Sequence, residues 1–375
     1  MNEKKLDELM TSLPSLGFPS AQIAVTVDGK NVYSRAVGYA DVEKTRPASA
    51  DDLYWVFSCS KVVACTAAMR LVEEGKIALY DRVDRYIPSF APENMSVMQR
   101  DGSLRPAEVP MRLIHLFTMT GGMDYNFNAP HVLEARQAPG ADTLSIVSAM
   151  AKTPLLFEPG TRYRYSLCHD VLAAVVEVCS GMRFSEYVEK YIFGPLGMTS
   201  SGFHPTEEQR KRFCDMYRYH IWDGTSEPVP LRNEYELIPN YDSGGAGVFS
   251  NADDFVKLVT ALACGGTSPD GYRLLDTETV KMMEKNLLCP AALADFVVTR
   301  LYGYGWGLCG RVHIDPAYSL SKSSAGEFGW DGAAAAFTMV DRPARTAFYF
   351  STHVRSCNYA YNVLHPLMRN LVCGD

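Results

Sequence analysis

The segment FSCSKVVACTAAMRLVEEG, residues 57–75, carries the strongest structural and chemical signal in this sequence. Its apolar residues recur at helical spacing, and the pattern stops at Gly75, a residue type that commonly follows the last turn of a helix. The segment therefore predicts a helix that ends at this glycine. Ser58 and Lys61 lie three residues apart in its first turn and share one face, which allows the lysine Nζ to reach the serine Oγ.

Such a serine-lysine pair can make a nucleophile. A serine hydroxyl reacts slowly at its ordinary pKa, but a desolvated lysine can be neutral and accept the hydroxyl proton. The helix N-terminus adds partial positive charge and free N–H groups near a developing oxyanion. The alternative is that Ser58 only caps the helix, a common role for serine. A second Ser-x-x-Lys occurs at residues 319–322, so the pattern needs support from other parts of the chain.

Strand patterns lie at both ends of the chain. Residues 21–40 alternate apolar and polar about Asp28-Gly29, which predicts an antiparallel hairpin. Further strand-like runs occupy residues 304–314, 333–341 and 345–353. Strands at both ends with helices between them imply that the two ends of the chain share one sheet.

Helical patterns broken by Pro and Gly loops fill the middle of the chain. They lie at residues 111–122, 144–153, 169–181 and 184–198, with further helices predicted at 252–264, 277–286 and 358–371. We therefore predict a mixed α/β (α+β) fold, an antiparallel sheet flanked by helices. Residues 1–81 and 206–375 would form the domain with the sheet, and residues 82–205 an inserted, all-helical domain.

The composition excludes several classes of function. The 375 residues are 47% hydrophobic and 21% charged, as in ordinary globular proteins. The net charge is −7 and no Lys/Arg block is longer than the three residues Arg210-Lys211-Arg212, which argues against nucleic acid or an anionic membrane as a partner. We find no signal-peptide pattern and no apolar run of about 18 residues, and therefore expect a cytoplasmic chain without a membrane span and with a small-molecule partner. The ten cysteines have no metal-ligand spacing, which favours reduced, buried thiols.

Two further segments could contribute to a cleft. Tyr165 follows a turn and precedes the helical pattern that begins at His169, so its phenol could relay a proton if a neighbouring ammonium lowers its pKa. The alternative is a packed tyrosine with a satisfied hydroxyl. Residues 326–334 are rich in Gly and Ala, which lets a ligand approach backbone N–H groups closely. The alternative there is a strand packed tightly against a helix.

Taken in order, Ser58-x-x-Lys61, Tyr165-Ser166-Leu167 and Trp330-Asp331-Gly332 resemble the motifs of the serine β-lactamase-like superfamily, which includes class C β-lactamases and penicillin-binding proteins. The sequence is most similar to its esterase branch, the family VIII carboxylesterases. The resemblance covers most of the chain and implies a β-lactamase/transpeptidase-like fold with the catalytic cleft between the two domains. Supporting stretches lie at residues 71–77, 111–122, 193–198 and 244–254.

The resemblance also implies roles for individual residues. Ser58 would be the acylated nucleophile and Lys61 its general base or proton shuttle. Tyr165 would help to activate the serine and return a proton to the leaving group. The oxyanion hole would consist of the backbone N–H groups of Ser58 and Ala333, next to Gly332. The resemblance implies neither a metal nor an organic cofactor.

Departures from the penicillin-recognising pattern point toward esters. Trp330 stands in place of the lysine of K-T-G, and Leu167 in place of the asparagine of Y-x-N, so groups that would hold a substrate carboxylate and amide are missing. Residues 322–324, Lys-Ser-Ser, could be a degenerate K-T-G. We prefer the tryptophan motif because it leads directly into the run of small residues. Asp331 is unusual in that motif and is predicted to place a negative charge at the pocket rim.

The remaining predictions concern pocket walls and rival mechanisms. No G-x-S-x-G pattern exists for a Ser-His-Asp hydrolase. His115 and His169 lie in helical patterns and are predicted to be structural, whereas His353 stays open. Aromatic residues expected to form apolar walls of the cleft are Tyr125, Phe127, Tyr241, Phe328 and Trp330.

The sequence therefore predicts a serine hydrolase of the carboxylesterase type that works through an acyl-enzyme on small esters, with transfer of the acyl group to an alcohol left open. Two alternatives remain. The first is a β-lactamase or a D-amino-acid-specific peptidase of the same fold. The second is a non-catalytic, penicillin-binding-like protein that binds a ligand without turnover. The sequence gives no indication of an oligomeric state.

Overall fold

The computed structural model describes residues 1–297 and 301–374. In chain order its strands are β1 (Ser20–Val27), β2 (Lys30–Gly38), β3 (Tyr54–Trp55), β4 (Ser96–Met98), β5 (Leu104–Pro106), β6 (Met216–His220), β7 (Thr225–Val229), β8 (Phe249–Ser250), β9 (Tyr304–Trp306), β10 (Arg311–His313), β11 (Phe328–Gly329), β12 (Phe337–Asp341), β13 (Thr346–Thr352) and β14 (Val354–Arg355).

The α-helices surround these strands. They are α1 (Glu3–Ser12), α2 (Ser60–Glu73), α3 (Leu113–Phe117), α4 (Pro130–Gln137), α5 (Thr143–Met150), α6 (Cys168–Ser180), α7 (Phe184–Val188), α8 (Glu207–Arg210), α9 (Ala252–Ala263), α10 (Thr277–Met283), α11 (Pro290–Val297), α12 (Pro316–Ser319) and α13 (His365–Cys373). Short 3₁₀-helices lie at Leu13–Leu16, Phe57–Cys59, Val83–Arg85, Pro88–Phe90 and Pro92–Asn94, and π-helical turns at Glu189–Phe193 and Ala360–Leu364. Within the described ranges, no helix is long and apolar enough to cross a bilayer.

A seven-stranded antiparallel sheet, in the order β2-β1-β13-β12-β11-β10-β9, is the centre of the fold. Asp28 and Gly29 form the turn between β1 and β2 with φ of +50° and +76°, as the hairpin prediction requires. Strand β1 pairs with β13, so that Ile23 lies opposite Phe350. The predicted fold class, with a sheet shared by the two ends of the chain, is therefore confirmed.

Both faces of this sheet are covered. Ala347 and Tyr349 of β13 belong to the apolar core on the side of α2 and α9, where Phe255 stacks on the tyrosine ring at 4.4 Å between centroids. Phe348 and Phe350 alternate with them and belong to the core beneath α1 and α13. Because successive side chains of a strand point to opposite faces, a strand covered on both sides is buried along its whole length, as β13 is.

Residues 82–205 contain α3 to α7, largely where the sequence predicts helices. They also contain the hairpin β4-β5, so the prediction that this segment is all-helical is wrong. Helix α6 of this segment packs against α2, and one apolar core extends through both. The division of the chain into two domains at these boundaries stays a prediction.

Candidate active site

Ser58 lies in the 3₁₀ turn Phe57–Cys59, which continues directly into α2. Phe57 has a φ of +46°, a left-handed conformation that is costly for a residue other than glycine. The turn is anchored by the pairing of β3 with β8 and by the Val248 N–H, which donates to Ser60 Oγ at 3.0 Å. Backbone strain held in place by such surrounding bonds clusters at functional sites.

The Ser58 side chain does not cap the helix. Residue Cys59 occupies the N-cap position of α2, and no side chain forms a capping hydrogen bond there. The capping alternative is therefore wrong. Instead, Ser58 Oγ lies 3.3 Å from Lys61 Nζ, as the spacing of the pair predicts. Ser58 is only 8% exposed, and it opens onto a cavity.

Lys61 is fully buried, and its amine is held from three sides. Nζ donates to the Gly245 carbonyl oxygen at 2.8 Å and to the Tyr125 hydroxyl at 2.9 Å, and its third neighbour is Ser58 Oγ. A neutral amine has two N–H groups and one lone pair. Because Gly245 and Tyr125 take the two hydrogens, the lone pair faces the Ser58 hydroxyl, which is the orientation that a general base needs.

The charge of Lys61 is tuned by its surroundings. Burial lowers its pKa to about 8, although the Asp170 carboxylate acts in the opposite direction. About a tenth of the molecules would carry a neutral Lys61 at pH 7 on this basis. Asp170 is itself buried and accepts hydrogen bonds from Tyr241 Oη at 2.8 Å and Ser243 Oγ at 2.6 Å. Sequence reasoning missed Asp170, because an acidic residue in the first turn of a helix is common and gives no signal of a catalytic site.

Tyr165 lies on the loop before α6, beside this pair. Its hydroxyl accepts a hydrogen bond from Trp330 Nε1 at 2.8 Å, and Lys61 Nζ lies 4.7 Å from the centre of its ring. Burial raises its pKa well above the ordinary value, although the polar groups of Ser58, Trp330 and Tyr125 around its hydroxyl act in the opposite direction. The condition that a neighbouring ammonium lowers this pKa is therefore not met, because the effect of burial is larger. Tyr165 stays a neutral phenol.

The segment with the second predicted oxyanion donor is a turn. The sequence predicts a strand from residue 333, but β12 begins at Phe337 and residues 331–336 form what we call the oxyanion turn. A Cβ atom on Gly332 would lie 2.4 Å from the Val56 carbonyl oxygen, so only glycine lets this turn lie against the turn that carries Ser58. Within residues 1–297 and 301–374, the Ala333 N–H has no protein acceptor. It is free to bind a substrate oxygen.

A cavity of about 510 Å³ unites these groups. Seven residues that the sequence singles out line it: Ser58, Tyr125, Tyr165, Trp330, Asp331, Gly332 and Ala333. Six others were not predicted: Tyr163, Tyr235, Leu301, Asn358, Tyr361 and Asn362. The latter come from loops and from the start of the C-terminal helical segment, where no sequence pattern distinguishes a wall residue from a surface residue.

Three of the predicted wall residues do not line this cavity. Phe328 is fully buried in β11, and Tyr241 is buried with its hydroxyl on Asp170. Phe127 packs behind the wall, with its ring 6.2 Å from that of Tyr125 and 5.6 Å from that of Tyr235. Each is an aromatic residue near the site, but its side chain points into the core or into a polar network.

Two further questions from the sequence concern the charge of Asp331 and the alternative K-T-G motif at residues 322–324. Asp331 lies at the cavity, but its carboxylate is 2.9 Å from His365 Nδ1 and 3.6 Å from an Arg311 nitrogen, so its charge is compensated and the predicted negative rim is wrong. Lys322 does not line the cavity. Its neighbour Ser323 is buried beside Glu327, so residues 322–324 do not act as the K-T-G motif here.

The three histidines considered for a Ser-His-Asp mechanism do not line the cavity. Burial lowers the pKa of His115 to about 4, of His169 to about 3 and of His353 to about 4, so all three are neutral near pH 7. His353, which the sequence left open, accepts from the Trp55 N–H and bonds to the Cys214 carbonyl oxygen at 2.9 Å. It joins the sheet to the nucleophile turn and has a structural role.

Trp330→Phe is expected to lower kcat for a p-nitrophenyl ester about 5-fold with little change in KM. The variant keeps an aromatic ring but removes the Nε1 hydrogen bond that orients the Tyr165 hydroxyl, and one such bond contributes about 1 kcal/mol. Trp222→Phe, at a tip where the ring is 96% exposed, is the matched control and should match wild type. An unchanged kcat for Trp330→Phe would show that the hydrogen bond from Trp330 Nε1 to the Tyr165 hydroxyl does not contribute to turnover.

Comparison with known proteins gives the following matches. A family model described as Beta-lactamase matches residues 3–367. The chain is 30% identical over 346 residues to Esterase EstB of Burkholderia gladioli, covering 84% of this chain and 80% of that protein. It is 26% identical over 357 residues to a putative D-alanyl-D-alanine carboxypeptidase of Escherichia coli, covering 88% and 77%.

The fold matches solved structures over nearly the full length. One is described as "EstCE1, a hydrolase with promiscuous acyltransferase activity", with a TM-score of 0.81 and 24% identity, covering 99% of this chain and 98% of that one. At this identity the match shows the fold alone. The seven-stranded antiparallel sheet with its surrounding helices thus has a known architecture.

Proposed function

The chain belongs to the beta-lactamase family of serine hydrolases, and we propose that within this family it is a carboxylesterase acting on small, uncharged esters through an acyl-enzyme on Ser58. The observation that supports this most strongly is the Ser58–Lys61 pair at 3.3 Å, opening onto a cavity with aromatic walls. The similarity to Esterase EstB, at 30% identity, agrees with this choice.

In the acylation step, Ser58 Oγ attacks the ester carbonyl carbon while neutral Lys61 accepts the hydroxyl proton. The carbonyl oxygen becomes an oxyanion, for which the free N–H of Ala333 and the N–H of Ser58 are the donors. Ser58 lies in the first turn of a helix, where backbone N–H groups lack an acceptor within the helix. When the intermediate collapses, the bond between the carbonyl carbon and the alcohol oxygen breaks.

The leaving alcohol needs a proton, and the hydrogen bonds offer a route for it. Lys61 Nζ donates to the Tyr125 hydroxyl at 2.9 Å, and the Tyr125 ring lies beside that of Tyr165, with 5.5 Å between centroids. The ammonium formed in acylation can therefore return its proton through Tyr125 to Tyr165, which protonates the alcohol oxygen. Tyr125, expected only as an apolar wall, would thus relay a proton. Its test is Tyr125→Phe, which breaks this route while keeping the ring.

Deacylation reverses these roles. Water attacks the acyl carbon, and Lys61 accepts one water proton by way of Tyr165 and Tyr125. Lys61 then gives a proton to Ser58 Oγ as the bond between Oγ and the acyl carbon breaks, which regenerates the free enzyme. An alcohol bound in place of water would receive the acyl group instead. The match to a structure described as a hydrolase with promiscuous acyltransferase activity makes transfer to an alcohol a reasonable second assay.

The preference for uncharged esters follows from the cavity wall. Among the described residues that line the cavity there is no lysine, arginine or histidine, and the one acid, Asp331, is already paired. A substrate carboxylate buried here would lose its hydration without gaining a cationic partner, which is costly. β-Lactams and D-Ala-D-Ala peptides both carry such a carboxylate, so the peptidase and β-lactamase alternatives are less favoured.

A matched pair of esters tests this preference. We expect kcat/KM for p-nitrophenyl butyrate to exceed that for the p-nitrophenyl monoester of succinic acid by about 100-fold, because the acyl groups are similar in length and only one adds a carboxylate. A chromogenic cephalosporin and a D-Ala-D-Ala peptide, assayed in parallel, should be poorer still. Equal rates for the two esters, or faster turnover of the cephalosporin, would contradict the proposal.

A further inference from the structure

The oxyanion turn, residues 331–336, is held from one side by the C-terminal helical segment. A π-helical turn at Ala360–Leu364 precedes α13 and places Tyr361 against the turn. Its hydroxyl donates to the Gly332 carbonyl oxygen at 2.9 Å. One turn of helix further on, the His365 ring lies flat on Phe337, with 4.5 Å between ring centroids and 7° between planes.

Both nitrogens of the His365 ring face oxygen atoms of the turn. Nδ1 lies 2.9 Å from Asp331 Oδ1, and Nε2 lies 3.1 Å from the Ala335 carbonyl oxygen. Burial works against a charged Asp331, but Arg311 and the hydrogen bond from His365 together hold its pKa below the ordinary value. A carboxylate and a carbonyl can only accept hydrogen bonds, so each ring nitrogen of His365 faces an acceptor that belongs to the turn.

The turn needs such support because its backbone is strained. Ala335 has a φ of +66°, a conformation that costs an alanine about 1 kcal/mol or more. In the described part of the chain, the Ala333 N–H two residues earlier has no protein partner to fix its direction. An oxyanion donor is effective only within a few tenths of an ångström of its ideal distance. The position of the Ala333 N–H therefore depends on the groups that hold the Gly332 and Ala335 carbonyl oxygens in place.

We propose that Tyr361 and His365 are positioning residues that clamp the oxyanion turn through Gly332, Ala335 and Asp331 and so aim the Ala333 N–H at the substrate oxygen. This inference rests on the proposed function, in which that N–H stabilises the transition state. It also gives Asp331, the unusual residue of the Trp-Asp-Gly motif, a function: its carboxylate is the anchor for the histidine of the C-terminal segment.

The clamp is tested with His365→Gln and Tyr361→Phe. Each variant removes one side chain of the clamp. Each should lower kcat/KM for p-nitrophenyl butyrate about 10-fold, with the change in kcat and not in KM. This loss is smaller than the ~10²–10³-fold loss in kcat when an oxyanion donor itself is removed. Affinity for butylboronic acid, which forms a tetrahedral anionic adduct on a serine, should fall by the same factor. Tyr359→Phe is the matched control, since Tyr359 lies on the same segment and, among the described residues, its hydroxyl has no hydrogen-bond partner.

Hydrogen exchange measured by mass spectrometry gives a readout that needs no turnover. Peptides covering residues 331–336 should exchange faster in both variants than in wild type or Tyr359→Phe, at unchanged melting temperature for Tyr361→Phe. Unchanged exchange and unchanged boronate affinity in Tyr361→Phe would overturn the clamp even if His365→Gln fails to fold. If wild type neither turns over esters nor binds the boronate, the proposed function fails, and the exchange data still decide whether the clamp exists.

Discussion

Replacing Ser58 with alanine is expected to lower kcat for p-nitrophenyl butyrate by about 10⁴-fold or more. The serine Oγ is the only atom of the pair that forms a bond to the substrate, so its loss removes the covalent route entirely. The oxyanion donors and the cavity would remain, and binding with KM close to that of wild type is expected. Steady-state kinetics at pH 8 measure both quantities.

The sequence offers a matched control for this variant. Ser319 begins the second Ser-x-x-Lys, residues 319–322, but its Oγ bonds to His313 Nε2 at 2.6 Å, and neither Ser319 nor Lys322 lines the cavity. Ser319→Ala should therefore keep wild-type turnover. If Ser58→Ala retains more than about a tenth of the wild-type kcat, the nucleophile assignment is wrong.

The second large effect concerns Lys61 and pH. Lys61 acts as a base only when neutral, and burial lowers its pKa to about 8. Below that pH the neutral fraction falls about tenfold per unit, so kcat/KM should rise with pH and level off above about 8. Lys61→Met keeps the length of the side chain without a base and should lose at least about 10³-fold. Lys61→Arg should fare no better, because arginine stays protonated.

Asp170→Asn tests whether this pH dependence belongs to Lys61. The Asp170 carboxylate raises the pKa of Lys61, opposing the larger effect of burial, so removing its charge should lower that pKa. The rising limb of the pH profile would then move toward lower pH, while activity above pH 8 stays close to wild type. A limb that does not move, measured in buffers of constant ionic strength, would mean that another group controls the profile.

The sequence predicts the fold well because its signals are local. The alternation around Asp28-Gly29 and the helical spacing up to Gly75 depend on neighbours within a few residues, and both elements form as predicted. Helix α1 was missed, although Leu6 and Met10 lie four residues apart and both are buried. Its charged first residues hide this short apolar stripe, and its burial depends on packing against α13, far away in sequence.

In the candidate site, too, contacts between neighbouring residues could be predicted from the sequence, whereas contacts between distant segments could not. The contact between Ser58 and Lys61 follows from one turn of helix, so spacing alone predicts it. Tyr165 and Ala333 could be placed only through the family resemblance, because they come from distant segments. The link between Asp331 and His365 joins residues 34 positions apart, and no local pattern shows that a carboxylate will face a buried ring.

The most direct test of the account is to find the acyl group on the enzyme. Wild-type protein mixed with p-nitrophenyl butyrate and quenched with acid during turnover should show the mass of one added butyryl group, which peptide mapping assigns to Ser58. Ser58→Ala should show none, and the adduct should decay at a rate consistent with kcat. Ester hydrolysis without an adduct on Ser58, or with the acyl group on another residue, would contradict the proposed mechanism.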